Sequence, residues 1–122
     1  MIYAYIDGDD IGLKIEMSFL NSDEESLRYI NGCVKKSISL IEEYLLKCGA
    51  EIIFSGADGV ICKSERLNLK DVFFFLRNVS SDINFSIGGG NTLKDSYIAL
   101  RFAKSNGKNI AVFYDTSFVI VS

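Results

Sequence analysis

The chain contains no histidine, no proline and no tryptophan, and only three of its 122 residues are cysteines. Without an imidazole, histidine acid–base chemistry and His-ligated zinc are excluded. Cys33, Cys48 and Cys62 form no Cys-x-x-Cys pair and are odd in number. Buried structural thiols in a reducing compartment fit this pattern best, so we expect a cytoplasmic protein.

Long apolar runs and an excess of positive charge are also missing. No apolar stretch reaches the roughly 18 residues that span a bilayer, and no secretory leader opens the chain. The net charge is −3 and the pI about 4.9, whereas long DNA or RNA requires a basic surface. We therefore expect neither a membrane nor a long nucleic acid as partner. A small anionic ligand held through a metal ion stays compatible with this charge.

The length and the 48% hydrophobic content fit one domain over residues 1–122. Residues 2–7 are apolar on both faces, which predicts a central strand. Ser22 and Glu25 form a capping box that begins a long amphipathic helix, and Gly49 ends it. The stretch between the first strand and Ser22 combines loop and short helix. The predicted elements that follow are a hairpin of strands 51–54 and 59–62, a helix 68–78, a strand 84–88, a flexible glycine turn 88–90, a helix 92–106, and strands 109–114 and 118–121.

This order of elements, β-α-β-β-α-β followed by α-β, predicts an α+β fold. Its first six elements form the ferredoxin-like, RRM-like arrangement with a mainly antiparallel central sheet. In that topology the first and third strands are antiparallel neighbours, so the end of one lies beside the start of the other. Asp7 ends the first strand and Asp58 begins the third. We therefore expect these two carboxylates to meet at one edge of the sheet.

Asp7 and Asp58 are accordingly the candidate catalytic metal ligands, although an Asp in a turn more often caps backbone amides. Carboxylates without His or Cys favour Mg²⁺ or Mn²⁺. The backbone carbonyl of Gly8 is a candidate further ligand, and Gly56 and Gly59 keep the surroundings open. Two carboxylates of this kind can hold metal against a triphosphate.

Other charged residues near these positions have more than one interpretation. Asp9 and Asp10 either ligate a second ion, add negative potential or belong to a solvated loop. Arg101, Lys104 and Lys108 recur at steps of three and four, so they share one stripe at the end of a helix. That stripe is either a solvated face or a surface that holds phosphate oxygens.

Three familiar nucleotide or metal motifs do not fit. An EF-hand starting at Asp7 would place Ile11 at its fifth position and Ser18 at its twelfth, where a bidentate Glu belongs. A dinucleotide fingerprint starting at Gly88 would need a third glycine at Leu93. No Walker A sequence occurs.

Four segments carry a resemblance to a known family. Residues 54–60, Phe-Ser-Gly-Ala-Asp-Gly-Val, resemble the GGDEF hairpin of diguanylate cyclases. Residues 85–88 and then 99–109 (ALRFAKSNGKN) resemble the closing pattern of that superfamily, S-I-G and A-L-Y-x-A-K-x-x-G-[RK]-N. The Asp-Gly-Asp opening at 7–9 is similar to the palm domain of the polymerase subunit of type III CRISPR complexes. Over nearly its whole length the chain most resembles the minimal CRISPR polymerase family (mCpol).

The resemblance implies a nucleotidyl cyclase that makes a cyclic di- or oligonucleotide from ribonucleoside triphosphates and releases pyrophosphate. It implies two divalent ions, Mg²⁺ or Mn²⁺, on Asp7 and Asp58, a homodimer with facing sites, and antiphage defence through a separate effector that reads the product. ATP is the expected substrate by family analogy, since residues that read guanine are not identifiable. The implied nucleotide-binding residues are Gly56, Ala57, Lys104 and Lys108, with Asp10 and Arg101 as further candidates.

One departure supports an alternative. Gly59 stands where diguanylate cyclases have Glu and the CRISPR palm usually has a second Asp, so one expected metal ligand is missing. A catalytically silent palm that binds nucleotide as a sensor is therefore the alternative function. An RNA-binding module of the RRM type would need stacking aromatics on the third strand, and residues 59–63 contain none.

Overall fold

The computed structural model describes every residue, Met1–Ser122. The chain forms six strands and four helices: β1 (Ile2–Gly8), α1 (Ile11–Leu20), α2 (Glu24–Lys47), β2 (Glu51–Gly56), β3 (Gly59–Ser64), α3 (Leu69–Arg77), β4 (Phe85–Gly90), α4 (Leu93–Ser105), β5 (Ala111–Asp115) and β6 (Ser117–Ile120). The strands form one sheet in the order β2-β3-β1-β4-β5-β6. Helices α2, α3 and α4 pack on this sheet, and α1 packs against α2. None of the helices is both long and apolar enough to cross a membrane.

The predicted α+β, ferredoxin-like topology is confirmed. Strand β1 pairs antiparallel with β3 on one side and with β4 on the other, and only β4 and β5 are parallel. At the end of β1, Asp7 lies opposite Gly59 of β3 and opposite Ser86 of β4. The register therefore brings three distant segments of the chain to one edge of the sheet.

The main core lies between the sheet and the helices α2 and α3. Alternate β1 residues, Ala4 and Ile6, point into it and are fully buried. Helix α2 contributes an apolar stripe with helical spacing. The largest buried side chains in this cluster are Ile6, Ile41, Leu45, Val60, Phe73, Leu76, Phe85 and Ile87.

The expected flexible turn at residues 88–90 is wrong, because these three glycines are buried residues of β4. A Cβ on Gly88 would lie 2.2 Å from the backbone nitrogen of Leu100 and 2.4 Å from the carbonyl oxygen of Ser96. The backbone of α4 thus rests directly on the strand, where no side chain fits between them. Gly89 points to the opposite face, towards Leu69 of α3, so the sheet separates α4 from the main core.

The predicted capping box is also wrong by one residue. Asp23 is the N-cap of α2, and its Oδ1 accepts a hydrogen bond from the Ser26 amide at 3.0 Å. Helix α1 extends to Leu20, so Ser22, at φ +49°, belongs to the turn that follows α1. Gly49, at φ +82°, lies just beyond the end of α2 as predicted. Asn68 and Thr92, the first residues of the predicted helices 68–78 and 92–106, are the N-caps of α3 and α4.

The contact between α4 and β4 predicts a large penalty for one added methyl group. Gly88→Ala should lower the free energy of unfolding by about 3 kcal/mol, the upper end of the usual range for overpacking, because the Cβ must displace helix backbone rather than a movable side chain. Urea unfolding followed by circular dichroism measures this change.

A glycine in the exposed interior of α2 provides the matched control. Nothing lies within 4 Å of a Cβ placed on Gly32. Gly32→Ala should therefore raise the free energy of unfolding by about 0.5–1 kcal/mol, the ordinary gain of Ala over Gly in a helix. Equal effects of the two substitutions would contradict the close packing of α4 on β4.

Candidate functional site

A polar cleft of about 380 Å³ opens at the sheet edge where β1 ends. Strand β1, the start of α1, the β2–β3 hairpin and the end of α4 all contribute to its walls. It brings together most of the charged residues singled out from the sequence. The lining side chains that carry charge or aromatic rings are Tyr5, Asp7, Asp10, Asp58, Tyr97, Arg101, Lys104 and Lys108.

Asp7 and Asp58 both line this cleft, held there by strand pairing. The Gly8 amide donates a hydrogen bond to the carbonyl oxygen of Asp58 at 2.9 Å, which fixes the hairpin tip against the end of β1. Asp58 follows Ala57, whose φ of +52° completes the two-residue turn between β2 and β3. The backbone therefore holds both residues at the wall of the same cleft.

Gly59 explains how the Asp7 carboxylate fits between the strands. A Cβ on Gly59 would lie 3.0 Å from Asp7 Oδ1 and 3.0 Å from the carbonyl oxygen of Ile6. A side chain here would have to push against Asp7 or the backbone of β1. The Asp7 carboxylate thus lies next to position 59, where the expected fourth acid of the hairpin is missing.

The electrostatics of the cleft oppose the ionised form of Asp7. Burial raises the pKa of the Asp7 carboxyl, Lys104 lowers it, and the negative charge of Asp58 raises it again. The pKa of Tyr5 is likewise raised, by burial first and then by Asp7 and Asp58. Two partly buried carboxylates that repel each other favour a cation between them.

Lys104 of α4 supplies a cation at this point. Its Nζ lies 2.6 Å from Asp9 Oδ1, 2.9 Å from the Gly8 carbonyl oxygen and 3.3 Å from Asp7 Oδ2. The side chain is 19% exposed, so the ammonium group is largely enclosed. The close packing of α4 on Gly88 brings the last turns of this helix within reach of β1.

Asp9 is the most buried acid of the group, with 5% of its surface exposed. Besides Lys104, it accepts hydrogen bonds from Ser86 Oγ at 2.8 Å and from the Asn109 amide at 2.8 Å. Both oxygens are therefore engaged within the chain. The sequence analysis did not predict the roles of Ser86 and Asn109. The one indication for Ser86 was that it is the only polar side chain in an otherwise apolar and glycine-rich strand.

Asp10 and Lys108 form a second ion pair at the rim of the cleft. Lys108 lowers the pKa of Asp10, chiefly through their hydrogen bond, and Asp10 raises the pKa of Lys108. Gly107, Lys108 and Asn109 all have positive φ, at +97°, +60° and +49°. This left-handed run turns the chain so that Lys108 reaches Asp10 while the Asn109 amide reaches the buried Asp9.

A second groove, of about 470 Å³, lies between α1, α2 and the hairpin tip. Asp58 lines both this groove and the polar cleft, so the two are contiguous. Sequence reasoning did not predict this groove, because it forms only where α1 and α2 come together. Gly56 lines neither, and Ala57 lines the groove. The other lining residues are mainly apolar: Ile11, Gly12, Ile15, Phe19, Leu27, Ile30, Asn31 and Val34.

The donor atoms of the cleft fit a hard divalent cation. The chain offers carboxylate oxygens from Asp7 and Asp58 and the carbonyl oxygen of Gly8, all ligand types that Mg²⁺ and Mn²⁺ accept. No group of three or more His, Cys, Asp or Glu side chains is arranged to hold a metal ion. An ion here would therefore complete its coordination with water and with phosphate oxygens, as Mg²⁺ commonly does.

The raised pKa of Asp7 predicts a pH-dependent effect on stability. A group whose pKa is higher in the folded state contributes stability below its unfolded pKa and loses it as the pH rises through the folded value. Asp7→Asn should therefore raise the free energy of unfolding at neutral pH, and the gain should shrink as the pH falls towards 3.8, the ordinary value. Urea unfolding across this pH range measures it.

Asp10→Asn is the matched control, because Lys108 lowers the pKa of Asp10. A lowered pKa contributes stability above the unfolded value that is lost as the pH falls. This variant should be slightly less stable than wild type at neutral pH, the opposite sign. A loss of stability in Asp7→Asn at neutral pH would contradict burial as the dominant influence on Asp7.

Comparison with solved structures places the fold among GGDEF-type domains. The active GGEEF domain of a diguanylate cyclase from Vibrio cholerae superposes with a TM-score of 0.67 at 14% identity, covering 95% of this chain and 83% of that one. A diguanylate cyclase/phosphodiesterase from Caldicellulosiruptor saccharolyticus gives a TM-score of 0.64 at 18% identity, covering 97% and 78%. At these identities the likeness shows the fold. No curated protein matches the sequence.

The family comparison confirms the resemblance seen in the sequence. The minimal CRISPR polymerase domain (mCpol) matches residues 3–114, which include the end of β1, the hairpin, the glycine strand and the whole basic segment that surround the cleft. The match covers nearly the whole chain. The chain therefore belongs to the minimal CRISPR polymerase (mCpol) family.

Proposed function

We propose that this chain is a metal-dependent nucleotidyl cyclase that makes a cyclic di- or oligonucleotide from ribonucleoside triphosphates, with ATP as the substrate. The observation that carries the proposal is the meeting of Asp7, Asp58 and Lys104 in one cleft that continues into an apolar groove. Acidic and basic groups in the cleft suit a metal-bound triphosphate, and the groove suits a base.

The phosphate chain of the substrate lies in the polar cleft. Lys104, Lys108 and Arg101 line it and supply ammonium and guanidinium donors to phosphate oxygens. Asp7, Asp58 and the Gly8 carbonyl would hold two divalent ions, which would supply positive charge to polarise the α-phosphate and to stabilise the leaving pyrophosphate. The chain itself positions the reactants, which is most of what phosphoryl-transfer catalysis requires.

The base lies in the groove between α1 and α2. Its walls are mainly aliphatic, with the Asn31 amide as a polar group that can donate and accept hydrogen bonds. Aliphatic walls favour the faces of a flat purine. Asp58 borders both spaces, so a nucleotide bound across them passes its ribose and α-phosphate beside this carboxylate.

A cyclic product requires two nucleotides whose ribose hydroxyls and α-phosphates face each other. A single cleft on this chain holds one triphosphate, so a second copy presents the other in a two-fold homodimer. The product is a diffusible signal for a separate effector, in keeping with the antiphage role implied by family membership.

The silent sensor is the second candidate, and Gly59 is the observation that favours it. The fourth acid of the hairpin is missing, and the Asp7 carboxylate lies against the position that its side chain would need. With fewer carboxylates, the site can bind a metal–nucleotide complex without turning it over.

The test is chromatography of products after incubation with each ribonucleoside triphosphate and Mg²⁺ or Mn²⁺. Wild type should release pyrophosphate and form a phosphatase-resistant cyclic product from ATP. Asp58→Asn should lower this rate by about 10²- to 10³-fold, since several kcal/mol of transition-state charge stabilisation depend on the metal site.

Asp115→Asn is the matched control. Asp115 is an exposed aspartate at the far end of β5, outside both the cleft and the groove, so its substitution should leave product formation unchanged. Triphosphate binding by wild type without any product or pyrophosphate would replace the cyclase with the sensor. Retained turnover in folded Asp58→Asn would contradict the role given to Asp58.

A further inference from the structure

The ammonium group of Lys104 lies where oxygen atoms of β1 converge. Its Nζ is 2.9 Å from the carbonyl oxygen of Gly8, 3.3 Å from that of Asp7 and 3.3 Å from Asp7 Oδ2. Asp9 Oδ1 completes the set at 2.6 Å. Carbonyl and carboxylate oxygens are also the ligands that Mg²⁺ and Mn²⁺ prefer. Lys104 and a divalent ion would therefore compete for the same oxygen atoms.

We propose that the ammonium group of Lys104 occupies the position between these oxygens in the nucleotide-free chain. It leaves this position when a metal–triphosphate complex binds. The proposal rests on the proposed function, because it concerns the same metal site. Unlike a metal ligand, Lys104 acts before binding: it satisfies the carbonyl oxygens and the Asp7 carboxylate and keeps a lone divalent ion out.

Asp9 is the positioning residue in this arrangement. Its second oxygen accepts the Asn109 amide, and Ser86 Oγ donates to the first, so the carboxylate stays fixed from two sides. Lys104 is held only through its ammonium group, which sits on a flexible four-carbon stem. The lysine can therefore pivot about Asp9 towards an incoming phosphate while Asp9 remains in place.

This geometry couples the two ligands. A triphosphate offers anionic oxygens to Lys104 and so draws its ammonium away from Asp7 and Gly8. The divalent ion then finds these oxygens free. Metal alone therefore binds weakly, and metal binds tightly once the nucleotide is present. Because coupling between binding sites is reciprocal, the metal raises the affinity for the nucleotide by the same factor.

The test is titration with Mn²⁺ alone, reading the free ion by its electron paramagnetic resonance signal. Lys104→Met should bind Mn²⁺ about tenfold more tightly than wild type, since a competing cation in direct contact with the ligand oxygens is removed. Lys108→Met is the matched control: it removes an equal charge from the same cleft, but this lysine pairs with Asp10. Its gain should be several-fold smaller.

A second titration, in the presence of a nucleotide analogue, should reverse the order of the Mn²⁺ affinities of wild type and Lys104→Met. With α,β-methylene-ATP present, wild type should bind Mn²⁺ more tightly than Lys104→Met, because the variant lacks the ammonium that holds the phosphates. If Lys104 were merely structural, replacing it would not tighten Mn²⁺ binding without nucleotide and weaken Mn²⁺ binding with nucleotide. Urea unfolding of each variant confirms that a folded chain is titrated.

The double variant Asp9→Asn, Lys104→Met separates direct competition from net charge. It removes one charge of each sign, so the net charge is that of wild type, and it leaves no unpaired buried carboxylate. Mn²⁺ alone should still bind more tightly than to wild type. Equal or weaker binding by both Lys104 variants would overturn the proposal, whereas Mn²⁺ binding by no variant, with or without the analogue, would overturn the metal site and the proposed function as well.

Discussion

The buried ion pair between Asp9 and Lys104 joins the segments from which the site is built. Asp9 follows β1, Lys104 belongs to the last turn of α4, and the partners of Asp9 come from β4 and from the loop before β5. Removing one member of such a pair commonly costs about 3–5 kcal/mol, because the other is left buried and unpaired. Here the hydrogen bonds from Ser86 and Asn109 offset part of the desolvation cost.

That pair can form only because α4 packs unusually close to the sheet. Gly88 leaves the helix backbone in contact with β4, and Gly90 does the same beside Asp95 at the start of the helix. A helix held at an ordinary distance by side chains of β4 would carry its lysine away from the end of β1. The glycines of β4 thus control the reach of Lys104, although none of them lines the cleft.

The sequence predicted the parts of the site that depend on topology and register. Asp7 and Asp58 are far apart in the chain, but alternating strand and helix patterns were enough to bring their strands together, since antiparallel neighbours place one end beside the other start. The glycine run was misjudged because a local pattern cannot distinguish a turn from a strand covered by a helix backbone. Asp9 was left open for a similar reason: its partners lie on β4 and in the left-handed loop before β5. The one-residue error at Ser22 arose because the end of α1 was not predicted.

The balance of charge around the cleft bears on how the proposed chemistry depends on metal. Four carboxylates, Asp7, Asp9, Asp10 and Asp58, face three cations, Arg101, Lys104 and Lys108, which leaves a net charge of −1. Lys108 pairs with Asp10, and Lys104 is shared between Asp9 and Asp7, so Asp58 is the carboxylate of this group that has no lysine within ion-pair distance.

A triphosphate would add several negative charges to a site that is already slightly negative, and Arg101, Lys104 and Lys108 are the only cations that line the cleft. In the proposed function, divalent ions would therefore enter with the substrate. An additional acid at position 59 would strengthen metal binding before the nucleotide arrives, but it would also deepen the repulsion on Asp7, whose pKa burial and Asp58 already raise. With glycine there, the proposed metal site would gain affinity mainly from the phosphate oxygens of the substrate, so that metal would occupy the site only when a nucleotide is bound.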